Sequence, residues 1–228
     1  MSILRILLVI QVVLTSLMGH GQSNIQLFGG YQRTYTSVAE YTHPTRTYYR
    51  IDSVSLTPHL NAPVFGVATE FEMAQNFYLN TGLTFSKKGI QYINYSTFAG
   101  QYFESWVGTQ EYFGVQILLK YHRRIGNSAF GYYVSTGCRI DFPYGEPTNA
   151  ALANGPGAEY IAPFGRFSKT ELVWINSLGG SYGIGPGDLF IQFSFLAGIT
   201  NPIEDDYIYA RTRSFGLTMG YAIHLKSK

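Results

Sequence analysis

Glu70, Glu72, Gln116, Lys120, His122 and Arg139 share an arrangement that ordinary surface charges lack. Each occupies the second phase of a segment whose alternate positions are large and apolar. Phe65, Val67, Thr69, Phe71 and Met73 alternate with Gly66, Ala68, Glu70 and Glu72, and Phe113, Val115, Ile117, Leu119 and Tyr121 alternate with Gly114, Gln116, Leu118, Lys120 and His122. Charges enclosed by such segments must be paired, so carboxylates joined to Lys120 or Arg139 are expected. The alternative chemistry is a proton or ion path along the same groups. Catalysis asks for more, a nucleophile, a base and an orienting group brought together. Of the five histidines, His20 falls in the N-terminal segment 1–21, just past its apolar run, and His122 and His224 fall near strand ends. His43 and His59 share a polar stretch but form no motif with Ser or Asp. Glu204-Asp205-Asp206 lacks the spacing of a calcium loop, and no glycine-rich phosphate loop or zinc spacing occurs. No catalytic, metal or cofactor-binding residue is therefore assigned.

The elements that carry these groups are strands. From Phe215 the chain reads Phe215, Leu217, Met219, Tyr221, Ile223 and Leu225 at every second position, with Gly216, Thr218, Gly220, Ala222 and His224 between them. A period of two gives a strand with two unlike faces. The second face holds Gly, Ser, Thr and Ala, which suits the crowded interior of a narrow barrel with the apolar face turned to lipid. Seven earlier segments behave alike, over about 24–36, 62–73, 77–88, 106–123, 129–141, 169–182 and 189–200. The sixth is the least regular, because Val173 and Ile175 oppose Leu172, Trp174 and Leu178, and a bulge near Asn176 is expected. Connections alternate long and short, with long loops over about 37–61, 89–105, 142–168 and 201–209. The fold class expected is all-β, an eight-stranded antiparallel up-and-down transmembrane β-barrel with short periplasmic turns and long extracellular loops. Its lumen has room for side chains only.

Composition agrees. Charged residues are 13% of the chain, against roughly 25% in soluble domains. A net charge of +2 gives no support to a nucleic-acid partner. Residues 1–21 carry Arg5, an apolar run from Ile6 to Leu17 and small residues at Gly19 and Gly21, the pattern of a cleaved secretory signal peptide. Residues 22–228 then form one barrel domain. No later apolar run is long enough for a membrane helix, so a membrane reading requires a closed sheet. The single Cys138 reads as a small apolar strand residue.

Three stretches carry a family resemblance: the Gly21-Gln22 junction, Thr81-Gly82-Leu83-Thr84-Phe85-Ser86-Lys87-Lys88-Gly89, and Gly131-Tyr132-Tyr133-Val134-Ser135-Thr136-Gly137. With them the chain resembles the small outer-membrane barrels of Bacteroidota, the PorT-like outer membrane protein β-barrel group. The resemblance implies fold and outer-membrane location and no particular activity.

With the N-terminus in the periplasm, Arg33, Lys87, Lys88, Lys169, Arg211 and Arg213 fall at the outer strand ends, where cations meet lipopolysaccharide phosphates. The function expected is non-enzymatic, carried by exposed loops in adhesion, partner binding, membrane integrity or a secretion apparatus. Partners are outer-membrane lipid, lipopolysaccharide and other envelope proteins. Two other classes fit less well: an outer-membrane enzyme acting on lipid or peptide, and a secreted lipocalin-like barrel with its apolar faces inward.

Overall fold

The computed structural model describes residues 23–41, 60–96, 102–154, 169–202 and 208–225. Residues 1–22, the expected signal peptide among them, His43, His59 and Glu204–Asp206 lie outside the described residues.

Eight strands follow one another around a closed antiparallel barrel: β1 (Ser23–Tyr41), β2 (Leu60–Ala74), β3 (Phe77–Ser96), β4 (Tyr102–Arg124), β5 (Phe130–Asn154), β6 (Glu171–Ile184), β7 (Gly187–Gly198) and β8 (Ile208–Leu225). The last strand closes on the first, with Leu27 opposite Tyr221. Closure leaves no sheet edge around the wall, the condition under which a sheet can cross lipid.

Alternation sets the two faces. Leu217, Met219, Leu178, Ile191 and Val134 are each at least half exposed on the outside, while Lys88, Asp141 and Glu171 are 1% exposed or less inside. This is the reverse of a soluble barrel, and it removes the lipocalin-like reading, which needs the apolar faces inward. Aromatic residues meet across strands on the exterior, Phe65 stacked on Phe85, Phe85 edge-to-face with Phe113, and Phe130 tilted against Tyr182.

Three short turns lie at one end, together with Ser23 and Leu225. Asn76 takes φ 66° in the turn after β2, and Gly185 takes φ 61° before Pro186 in the turn after β6. Asn and Gly tolerate this left-handed region, which tight hairpins require. We refer to this as the turn end and to the opposite as the loop end.

Two expectations are corrected. Stretches 37–41, 60–61, 89–96, 102–105, 142–154 and 208–209, expected as loop, are strand. β3 pairs β4 up to Ser96–Tyr102, and β4 pairs β5 up to Phe103–Asn154, so a three-stranded sheet continues past the levels where β2 and β6 stop. The expected bulge near Asn176 is absent: β6 keeps continuous register with both neighbours. Val173 and Ile175 point inward, 1% and 3% exposed, and pack with Leu118 and Leu196. The strand looked irregular because its inner face is apolar.

Candidate functional site

Among the described residues, two clusters of charged side chains stand in the lumen apart from the Asp188 pairs at the turn end, and smaller neutral groups join Gln32 to Thr34 and Ser214, and Ser194 to Ser177 and Gln192. Toward the turn end, Lys120 Nζ meets Glu70 Oε1 at 2.6 Å. The same carboxylate oxygen accepts from Asn80 Nδ2 at 3.2 Å, Asn80 also donates to Gln26 Oε1 at 3.0 Å, and Gln116 donates to Asn80 Oδ1 at 3.2 Å. Lys120 lies over the Tyr133 ring at 4.2 Å. Four neighbouring strands, β1 to β4, supply the polar chain, and all its members sit on the small-residue phase.

Toward the loop end, Lys88 contacts Asp141 Oδ2 at 2.6 Å and is ion-paired with Glu171. Arg139 Nη2 donates to Asp141 Oδ2 at 2.9 Å, with Nε also close to Oδ1 at 2.7 Å but poorly aligned for a hydrogen bond. Thr212 donates to Glu171. Two cations thus face two carboxylates, all of them buried. Gly114 makes room for this, since a Cβ there would collide with the Asp141 carboxylate and the Thr84 hydroxyl. Leu118, Val173, Ile175 and Leu196 pack together on the lumen wall beside Gln116 and Arg139, which are opposite each other on β4 and β5, and Phe28 packs against a second apolar cluster of Tyr133, Phe190 and Ala222.

Of the six lumen residues named from sequence, the structure joins Glu70, Lys120 and Gln116 in one network. Arg139 belongs to the other. His122 Nε2 lies 3.0 Å from Ser181 Oγ, and Glu72 stands half-buried beside Tyr78, outside the network. Asp141, Glu171, Asn80 and Gln26 were missed. The signal was present: Asp141 follows Arg139 by two positions and so shares its face.

Lys88 corrects the rim assignment. It was expected at the outer interface with Lys87, but adjacent residues of a strand face opposite ways. Lys87 is half-exposed outside, across from Glu111, and Lys88 is inside. Arg33, Arg211 and Arg213 lie exposed on the adjoining strands β1 and β8. Arg33 lies over the Tyr35 ring at 5.6 Å, and Tyr35 is directly opposite Arg213. Lys169 is exposed just before β6, apart from this group.

At the turn end a cavity of about 750 Å³ opens, lined by side chains from all eight strands. Arg124 Nη2 and His224 Nε2 both meet Asp188 there, at 3.3 and 3.1 Å.

No known protein family and no curated protein sequence matches the chain. Among solved structures it is similar to the surface protein NspA of Neisseria, at 14% identity over 89% of this chain and 97% of that one, with a TM-score of 0.46. It is also similar to the outer membrane protein OprG of Pseudomonas aeruginosa, at 10% identity over 91% and 98%, TM-score 0.41. The outer membrane protease OmpT of Escherichia coli is a further likeness, at 8% identity over 90% and 97%, TM-score 0.42.

Proposed function

We propose that the protein is a non-enzymatic integral barrel of a bacterial outer membrane, with a lumen filled by side chains except for the cavity at the turn end, and its role carried at the loop end. One observation carries this reading: charges are buried inside while a belt of Leu, Ile, Met, Val and Phe is exposed outside. In water that belt would be an aggregation surface; in lipid it is the stable arrangement. Residues 1–21 would be the exported leader, and 22–228 the barrel.

Arg33, opposite Phe215, and Arg211 and Arg213 beyond it, with Tyr35 beside them, supply a cationic patch at the upper edge of the apolar belt. Arg forks suit phosphate oxygens, and an aromatic ring suits the interface level. We infer that this patch, helped by Lys87 and Lys169, meets lipopolysaccharide phosphates. The β3–β5 sheet that rises past the barrel would present the neighbouring loops to other envelope proteins, in line with the PorT-like resemblance. Membrane fractionation with a gel of boiled and unboiled protein tests the first part. An outer-membrane band that changes mobility on boiling is expected; a protein soluble without detergent contradicts it.

A further inference from the structure

We propose that the turn-end cavity is a binding site for an uncharged sugar unit. The site does not involve the cationic rim, so the lipid-phosphate reading can fail without it.

The charges that line the cavity are matched within it. Lys120 is held by Glu70 at 2.6 Å, and Arg124 and His224 converge on Asp188. An ionic ligand would have to displace one of these pairs, at the cost of stranding its partner. Apart from the remaining donors of Arg124 at the mouth, the hydrogen-bonding capacity left over is neutral. The Nδ1 of His122, the Tyr78 hydroxyl and the Asn76 carboxamide make no hydrogen bond among the described residues and line the same space.

His122 is placed with care. Its ring stands between those of Tyr78 and Tyr133, at centroid distances of 6.2 and 6.3 Å. Its Nε2 meets Ser181 Oγ from two strands away, across Gly131 of β5. A Cβ on residue 131 would come within 2.5 Å of that Nε2 and 2.8 Å of the serine oxygen, so glycine is what lets the two side chains meet. The result is a fixed neutral edge of nitrogen and hydroxyl groups beside the half-buried Tyr78 ring, the Tyr133 ring being covered by Lys120. Such an edge matches a pyranose, whose hydroxyls take hydrogen bonds while its C–H face packs on a ring. Polar groups held ready in a concave site set orientation without reorganisation.

The test is a titration of the folded barrel in amine-oxide micelles, which carry no sugar headgroup, with N,N′-diacetylchitobiose followed by NMR. Saturable shifts at Tyr78, His122 and Tyr133 are expected. His122→Ala and Gly131→Ala should each weaken binding by at least about tenfold, and Tyr78→Phe, which removes only a hydroxyl, should weaken it several-fold. Each variant must still change mobility on boiling, and Tyr78→Phe serves if the others do not fold. Shifts that never saturate, saturable binding that Tyr78→Phe and His122→Ala leave unchanged, or tighter binding of inorganic phosphate would overturn the proposal. Co-sedimentation with insoluble cell-wall glycan separates the sources. Retention assigns a fixed wall polymer, and binding of the disaccharide alone assigns a free sugar; either upholds the site.

Discussion

The two ends of the lumen handle buried charge differently. At the loop end, Lys88, Arg139, Asp141 and Glu171 are sealed from solvent and paired with one another, with Thr212 as a neutral donor to Glu171. At the turn end, Lys120 and Glu70 form the floor of an open cavity, and Glu70 has a neutral partner in Asn80 as well. A sealed quartet depends on every member, because a charge left without its partner has no water to turn to. A pair at the edge of a cavity can be rehydrated. The first arrangement suits a structural clasp and the second a surface that meets a ligand.

The comparison is broken most sharply at Lys88. Lys88→Met leaves Glu171 with Thr212 alone and should destabilise the barrel by about 3–5 kcal/mol, measured by urea unfolding in lipid vesicles. Adding Glu171→Gln removes the stranded charge and should recover part of that loss, a coupling between contacting residues. A double variant as unstable as the sum of the singles would show that the cluster does not act as a unit. Lys120→Met should cost less, about 1–3 kcal/mol, because Asn80 and entering water still serve Glu70. Equal losses at Lys88 and Lys120 would erase the distinction between the two ends. Tyr112→Phe sets the lower bound. Its ring lies under Lys88 at 4.8 Å, but its buried hydroxyl has no hydrogen-bond partner among the described residues. Removing that hydroxyl should change stability by less than about 0.5 kcal/mol.

The barrel wall was legible in the sequence because lipid on one side and a crowded lumen on the other impose opposite residue types at every second position. Beyond the belt that pressure stops. Residues 142–154 contain Pro143, Gly145 and Pro147, so composition pointed to loop where pairing with β4 holds a strand. β6 misled for the converse reason, since Val173 and Ile175 fill the lumen with apolar atoms and blur the two faces. Parity, carried one step further along β3, would have put Lys88 with Thr84 and Ser86 inside. The pairing of Lys88 with residues 53 and 83 positions away was not readable, because it depends on how eight strands are staggered around the ring. The same holds for His122 and Ser181, which meet only because β5 brings a glycine between them.

The most direct test of the central claim, that the apolar face meets lipid, uses the native thiol. Cys138 is the single cysteine and lies on the outer face between Ile117 and Trp174. With the barrel folded into lipid vesicles, a membrane-impermeant maleimide should label Cys138 at least about tenfold more slowly than in the denatured chain, because a thiolate does not form in hydrocarbon. Labelling at the denatured rate, in protein that is folded by its mobility shift, would contradict a lipid-facing exterior.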